Sequence, residues 1–192
     1  MKRVGVLSLQ GDFAAHAAAL ERAGAEPVLV REREQFDAID GLILPGGEST
    51  TMLKLLRYDG LMDALAGFCR RKPVFGTCAG AILLANHVLN PEQESLGLMD
   101  IDVERNAYGR QIDSHVAVLD PEPEFQERAG SGPLEAVFIR APKIRNVGPK
   151  AKVLARYAGD PVLVEEGSLL AATFHPELTA DPRIHGLFLE KL

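Results

Sequence analysis

Cys78 sits at the centre of Gly76-Thr77-Cys78-Ala79-Gly80, a G-x-C-x-G stretch between two apolar runs. Glycines at that spacing permit a sharp strand-to-helix turn that pushes the central side chain out of the backbone, as in a nucleophile elbow. The start of the following helix would set positive partial charge beside the sulfur and favour the thiolate, the nucleophilic form. The second cysteine, Cys69, has an ordinary explanation. It follows Leu61 and Leu65 at four-residue intervals, so it falls on the apolar face of a helix as a core position.

A cysteine nucleophile needs a base, and the chain offers His16, His87, His115, His175 and His185. Only His175 combines a position after an expected strand with a nearby acid, in His175-Pro176-Glu177. Proline disfavours helical backbone at the residue before it, which predicts an extended segment with residues 175 and 177 projecting to one side. Glu177 would then orient the imidazole that accepts the thiol proton. His16 and His185 fall on expected helices, and His87 and His115 in an irregular middle section. Attack on a carboxamide creates an oxyanion that needs donors already in place. The N–H of Ala79, next after the nucleophile, is one, and Gly46-Gly47 can supply another. An ordinary glycine turn, with Ser49 or Thr50 capping the next helix and Glu48 near its dipole, would also account for that segment.

These residues must be positioned by regular elements. Short apolar strands are predicted at 4–9, 27–30, 41–44 and 74–76. Helices are expected from Asp12 to a stop at Gly24, over 50–58 and 61–71 with a break near Gly60, and over 79–85. This alternation predicts a doubly wound α/β fold, a mostly parallel sheet flanked by helices. Further strands at 101–103, 116–119, 136–139, 153–157, 162–165 and 169–174 read as antiparallel additions, and 184–192 as a closing helix. The turns at Gln10-Gly11, Pro45 to Glu48, Gly76 to Gly80 and His175 to Glu177 each follow a strand. They converge on the carboxyl edge, where such sheets bind ligands; Gln10 is counted with the substrate-contacting residues on that ground.

At 192 residues and 46% hydrophobic content the chain is expected to form a single domain, 1–192. Its longest apolar stretches fall far below the roughly 18 residues of a membrane span. The basic start at Lys2-Arg3 leads into an apolar run that Gln10, Gly11 and Asp12 cut short, so no export signal is expected. Two cysteines make no disulfide framework, which suits a reducing cytoplasm. A formal charge of −6 gives no general attraction to phosphate backbones. The cluster Arg140, Lys143, Arg145, Lys150 and Lys152 is therefore read as a solvated or partner-facing edge rather than a nucleic-acid stripe. No metal is expected, because His175 and Glu177 have no further ligands at recognisable spacing.

Taken together, GVLSLQGDF, LPGGEST, GTCAGAILLA, RNAYGRQIDS, FIRAP and FHPEL run nearly the length of the chain. They resemble the glutaminase subunits of pyridoxal 5'-phosphate synthase, which are triad-type (class I) glutamine amidotransferases of flavodoxin-like fold. The elbow and H-P-E mark the broad superfamily; LPGGEST, RNAYGRQ and FIRAP point to this branch. The resemblance implies Cys78 as nucleophile with His175 and Glu177 as partners, and glutamine contacts at Gly47, Glu48, Ser49, Arg105, Ile139 and Arg140. It also implies no cofactor, L-glutamine as substrate, and a hetero-oligomeric complex with the synthase subunit that receives the ammonia. Two departures from the family pattern are Tyr108, where phenylalanine is expected, and Ser114-His115-Val116, where a more aromatic and acidic run is expected.

Three other readings compete. A glutaminase serving histidine or purine synthesis would share the triad, but LPGGEST with RNAYGRQ argues against it. A cysteine peptidase or stress protein on a similar sheet would carry its base shortly after the nucleophile, whereas an apolar helix separates His87 from Cys78. A non-enzymatic binding module would show no glutamine hydrolysis even with its partner.

Overall fold

The computed structural model of the chain describes residues 1–107 and 114–192. Tyr108 and most of the RNAYGRQIDS stretch after Ala107 lie outside the described residues. Strands β1 (Arg3–Leu7), β2 (Glu26–Val30), β3 (Gly41–Leu44) and β4 (Val74–Thr77) alternate with helices α1 (Phe13–Arg22), α2 (Ser49–Tyr58) and α3 (Met62–Cys69). Helix α4 (Ala79–Leu84) follows β4 directly. The second half adds β5 (Ala85–Leu89), β6 (Met99–Glu104), β7 (Ser114–Pro121), α5 (Pro123–Ala129), β8 (Leu134–Ile139), β9 (Lys143–Val147), β10 (Lys152–Tyr157), β11 (Asp160–Glu166), β12 (Leu169–Ala172) and α6 (Arg183–Leu189).

The main sheet has the order β2-β1-β3-β4-β12-β11-β10-β7-β8. Its first five strands pair in parallel, which is the doubly wound order, and β11, β10, β7 and β8 continue it antiparallel. Strands β5, β6 and β9 form a separate small sheet. The central strands β3, β4 and β12 are buried at every position because both faces are covered. Their side chains alternate between two cores: Leu42, Leu44, Val74 and Ala171 join one, while Ile43, Phe75, Leu170 and Ala172 join the other. Helices α2, α3 and α4 cover the first face; α1, α5 and α6 cover the second.

Several expectations need correction. His87 and His115 lie in strands β5 and β7, not in irregular chain. Residues 176–178 form a short 3₁₀ turn rather than an extended segment. Asp12 occupies the N-cap position of α1 but makes no side-chain capping bond. At α2 the cap is Glu48 itself, whose carboxylate accepts from the N–H groups of Thr50 at 3.0 Å and Thr51 at 2.7 Å. Cys69 is buried with Leu61 and Leu65, as the four-residue spacing requires.

Candidate active site

Cys78 adopts φ 50°, a left-handed backbone that a side-chain-bearing residue rarely takes, and is held there by its N–H donating to Ala172 O at 2.8 Å. The two glycines beside it are needed for close approach. A Cβ on Gly80 would fall 2.0 Å from Leu44 O, and one on Gly76 would fall 2.5 Å from the backbone of Gly80. Strand β4, the elbow and α4 therefore pack with no room for a methyl group at either position. Because α4 has only six residues, its dipole is short, and the main positive group beside the sulfur is His175.

His175 and Glu177 follow β12, the parallel neighbour of β4, so the sheet itself brings them beside the elbow. His175 Nδ1–H donates to Glu177 Oε1 at 2.7 Å, and both side chains are buried. The 3₁₀ turn closes this contact across two residues, which an extended segment would have left to longer reach. Burial pushes the imidazolium down, but contact with the Cys78 sulfur and the Glu177 carboxylate outweighs it and holds His175 up at about 10. The ring's Nδ1–H is thus held by Glu177, and the Cys78 sulfur is its other partner.

The Gly46-Gly47 segment lies against this pair. A Cβ on Gly46 would fall 2.5 Å from His175 Cε1 and 3.3 Å from Cys78 Cβ. Gly47, at φ 128°, sits where a Cβ would strike the Gln10 amide. Gln10 Nε2–H donates to Gly46 O at 3.3 Å, and its Oε1 accepts from the Glu48 N–H at 3.0 Å. This draws the Gly46 carbonyl toward Gln10, so the Gly47 N–H, on the other edge of the same trans peptide, faces away from Gln10. Ala79 opens α4, where helices leave their first N–H groups without internal partners.

A cavity of about 410 Å³ opens over the sulfur, lined by Cys78, His175, Gly47, Glu48, Ser49, Arg105, Ile139 and Arg140 together with Gly11, Asp12, Ile82 and Asn106. Every expected glutamine contact except Gln10 lines it; Gln10 braces the loop from behind instead. Arg105 is anchored by its guanidinium donating to Thr50 Oγ1 at 2.9 Å, and Arg140 holds left-handed backbone at φ 46°. Ser49 Oγ–H is turned to Gln93 Oε1 at 2.9 Å. The sequence reading missed Asp12 and Asn106 as lining residues. Asn106 stands inside the RNAYGRQ motif, whereas Asp12 reads in sequence only as a helix start. Asp12 also brings a third possible ligand atom within 4.8 Å of those of His175 and Glu177, a grouping the spacing did not reveal.

In the basic cluster, Lys143 faces Asp160 at 3.1 Å, Lys152 faces Glu124 at 3.3 Å, and Arg145 is paired with Glu104. No helix among the described residues is long and apolar enough to cross a membrane.

Cys78, His175 and Glu177 meet at the carboxyl edge of a doubly wound sheet of the class I glutamine amidotransferase type, and the relatives of the chain make the family specific. Residues 6–192 match the model of the SNO glutamine amidotransferase family, and the chain belongs to that family. It is 69% identical over 192 residues, all of both chains, to pyridoxal 5'-phosphate synthase subunit PdxT of Solibacter usitatus. It is 55% identical over 188 residues to the PdxT subunit of Koribacter versatilis, covering 98% of this chain and 94% of that one. A solved crystal structure of a glutamine amidotransferase superposes with a TM-score of 0.87 at 48% identity, covering 98% of this chain and 97% of the other.

Proposed function

We propose that the chain, as one glutaminase domain over 1–192, hydrolyses the side-chain amide of L-glutamine and passes the ammonia to a synthase subunit that makes pyridoxal 5'-phosphate. The observation that carries this reading is the buried contact of His175 with Glu177 at 2.7 Å beside Cys78, at the floor of a cavity edged by two arginines. The Cys78 thiolate attacks the glutamine Cδ carbonyl, and the oxyanion is received by N–H groups of Ala79 and the Gly46-Gly47 segment. As the C–N bond breaks, His175 gives its proton to the departing ammonia. A glutamyl thioester remains on Cys78. His175, now neutral, takes a proton from water, and the hydroxide releases glutamate and restores the thiolate.

Arg105 and Arg140 supply positive charge for the substrate carboxylate, while Gly47, Glu48, Ser49 and Ile139 bound its chain. The route draws on side chains and backbone alone. Its nucleophile must stay reduced, which suits a cytoplasmic setting. A relative named as a synthase subunit supports a hetero-oligomeric complex with the ammonia-accepting partner.

The test is ammonia release from glutamine by the chain co-purified with its endogenous partner. Cys78→Ala should lower turnover at least about a thousandfold. Cys69→Ala should leave it unchanged, since burial pushes the Cys69 thiol up to about 12. Turnover by Cys78→Ala equal to that of the unaltered chain would overturn the reading.

A further inference from the structure

Glu177 is buried and its two oxygens are unequal: Oε1 accepts from His175, while Oε2 has no hydrogen-bond partner within normal geometry among the described residues. The polar group facing Oε2 is Nε2 of His16, at 3.4 Å, projecting from α1 beneath the sheet. The same nitrogen lies 3.0 Å from Thr77 Oγ1, one residue before the nucleophile. On its other edge, His16 Nδ1 lies 3.1 Å from Nε2 of His185, on α6. His16 and His185 are both fully buried, and neither takes part in the chemistry above.

A carboxylate only accepts hydrogen bonds, so a ring nitrogen facing it must carry hydrogen or present a lone pair to a negative oxygen. Leaving a buried anionic oxygen with no donor is costly. We infer that His16 is a positioning residue for the triad, bearing its proton on Nε2 and sharing it between Glu177 Oε2 and Thr77 Oγ1. This inference rests on the glutaminase reading for its effect on turnover. His16 Nδ1 must then accept, and His185 must donate to it from Nε2–H. That choice leaves His185 Nδ1 as a bare lone pair, in keeping with its lack of any partner and cheaper than a stranded N–H. The donors of His185 and His16 thus point in sequence toward Glu177 Oε2, while the Nδ1–H of His175 points to Oε1.

Burial, together with His185 and His175, pushes the His16 ring well below its ordinary range, and burial with Arg22 lowers His185 to about 4. Both rings are held toward the neutral form, so the network can brace the carboxylate without placing a second cation beside it. The charged or titratable groups around it are Asp12 and Arg22 beside α1, Cys78, His175, Glu177 and the two buried histidines.

Nitrogen-15 NMR of the histidine rings in the full chain tests the inference without substrate. In the unaltered protein His16 should appear as the neutral Nε2–H form over roughly pH 5 to 9. Removing the donor with His16→Leu should loosen Glu177 and so weaken its hold on the His175 proton. The His175 midpoint should fall by about one pH unit or more. Turnover on glutamine should drop about tenfold with KM within about twofold. His16→Gln restores an N–H at a similar reach and should recover most of both losses. A His16 ring protonated on Nδ1, or a His175 midpoint unmoved in His16→Leu, would overturn the inference. If His16→Leu does not fold, the ring form in the unaltered chain and the His16→Gln titration decide. Absence of glutamine hydrolysis by the unaltered complex would instead remove the functional reading and leave these spectra to judge the network by themselves.

Discussion

A left-handed backbone at a cysteine costs on the order of 1–3 kcal/mol, and at Cys78 that cost is borne by surrounding packing. The glycines at 76 and 80 remove obstacles; the strain itself sits on the nucleophile. In the proposed mechanism His175 protonates the leaving ammonia and Glu177 orients it, which sets the order of damage. Glu177→Ala should reduce turnover roughly ten- to a hundredfold less than His175→Ala does. Equal loss in steady-state assays would make the carboxylate a direct participant. The raised His175 value also has a stability consequence. Because its folded value, about 10, lies above the ordinary 6.5, the pairing stabilises the fold fully below about 6.5 and is lost as pH rises through 10. Cys78→Ala removes one of the two partners that raise it, so denaturation curves should show an alkaline loss that is smaller and complete at lower pH. The elbow and H-P-E were legible from residue types and spacing. His16 was not, since a histidine on a helix carries no local sign of the carboxylate it meets 161 positions later in the chain.

Among elements, the first half was readable because its strands are short and mainly apolar and because α1, α2 and α3 end at a glycine or a turn. Strands β5 and β9 were missed for physical reasons. β5 continues straight out of apolar α4, and β9 reads Lys-Ile-Arg-Asn-Val, a charged strand of the small sheet with little alternation. Arg105 and Arg140 entered only by family likeness, because a solvated arginine and a cavity arginine look alike in sequence. Glu48 shows how a capping residue can serve a site. Its slight burial raises the carboxyl, but hydrogen bonds from Thr51 and Thr50 outweigh that and hold it at about 2. A carboxyl depressed below its ordinary 4.5 stabilises the fold above that pH and loses the contribution as pH falls through 2. Its side chain is more than half exposed, so the effect is modest. Glu48→Ala should cost about 0.5 to 1 kcal/mol at neutral pH by urea titration, and the difference from the unaltered chain should vanish near pH 2.

On the scale of the whole molecule, the loop over the sulfur is the natural point of control. Glycine at both 46 and 47 permits a peptide flip that would turn an N–H toward, or a carbonyl into, the oxyanion position. Gln10 holds that carbonyl in the present arrangement. An oxyanion donor contributes about 2.7 to 4 kcal/mol, so its loss silences turnover by roughly a hundredfold or more. Ammonia release should therefore be at least about a hundredfold slower without the synthase subunit than with it. Full activity in the isolated chain would remove this switch. The position of β12 has a different consequence. It is the last strand in the chain, yet it lies in the middle of the main sheet, between β4 and β11. During synthesis the cysteine emerges nearly a hundred residues before the histidine that activates it. On the proposed mechanism, until the final strand enters the sheet the nascent chain has no base beside its cysteine. Completion of the fold is thus the step that arms the enzyme, and a chain halted on the ribosome before that point would spend no glutamine.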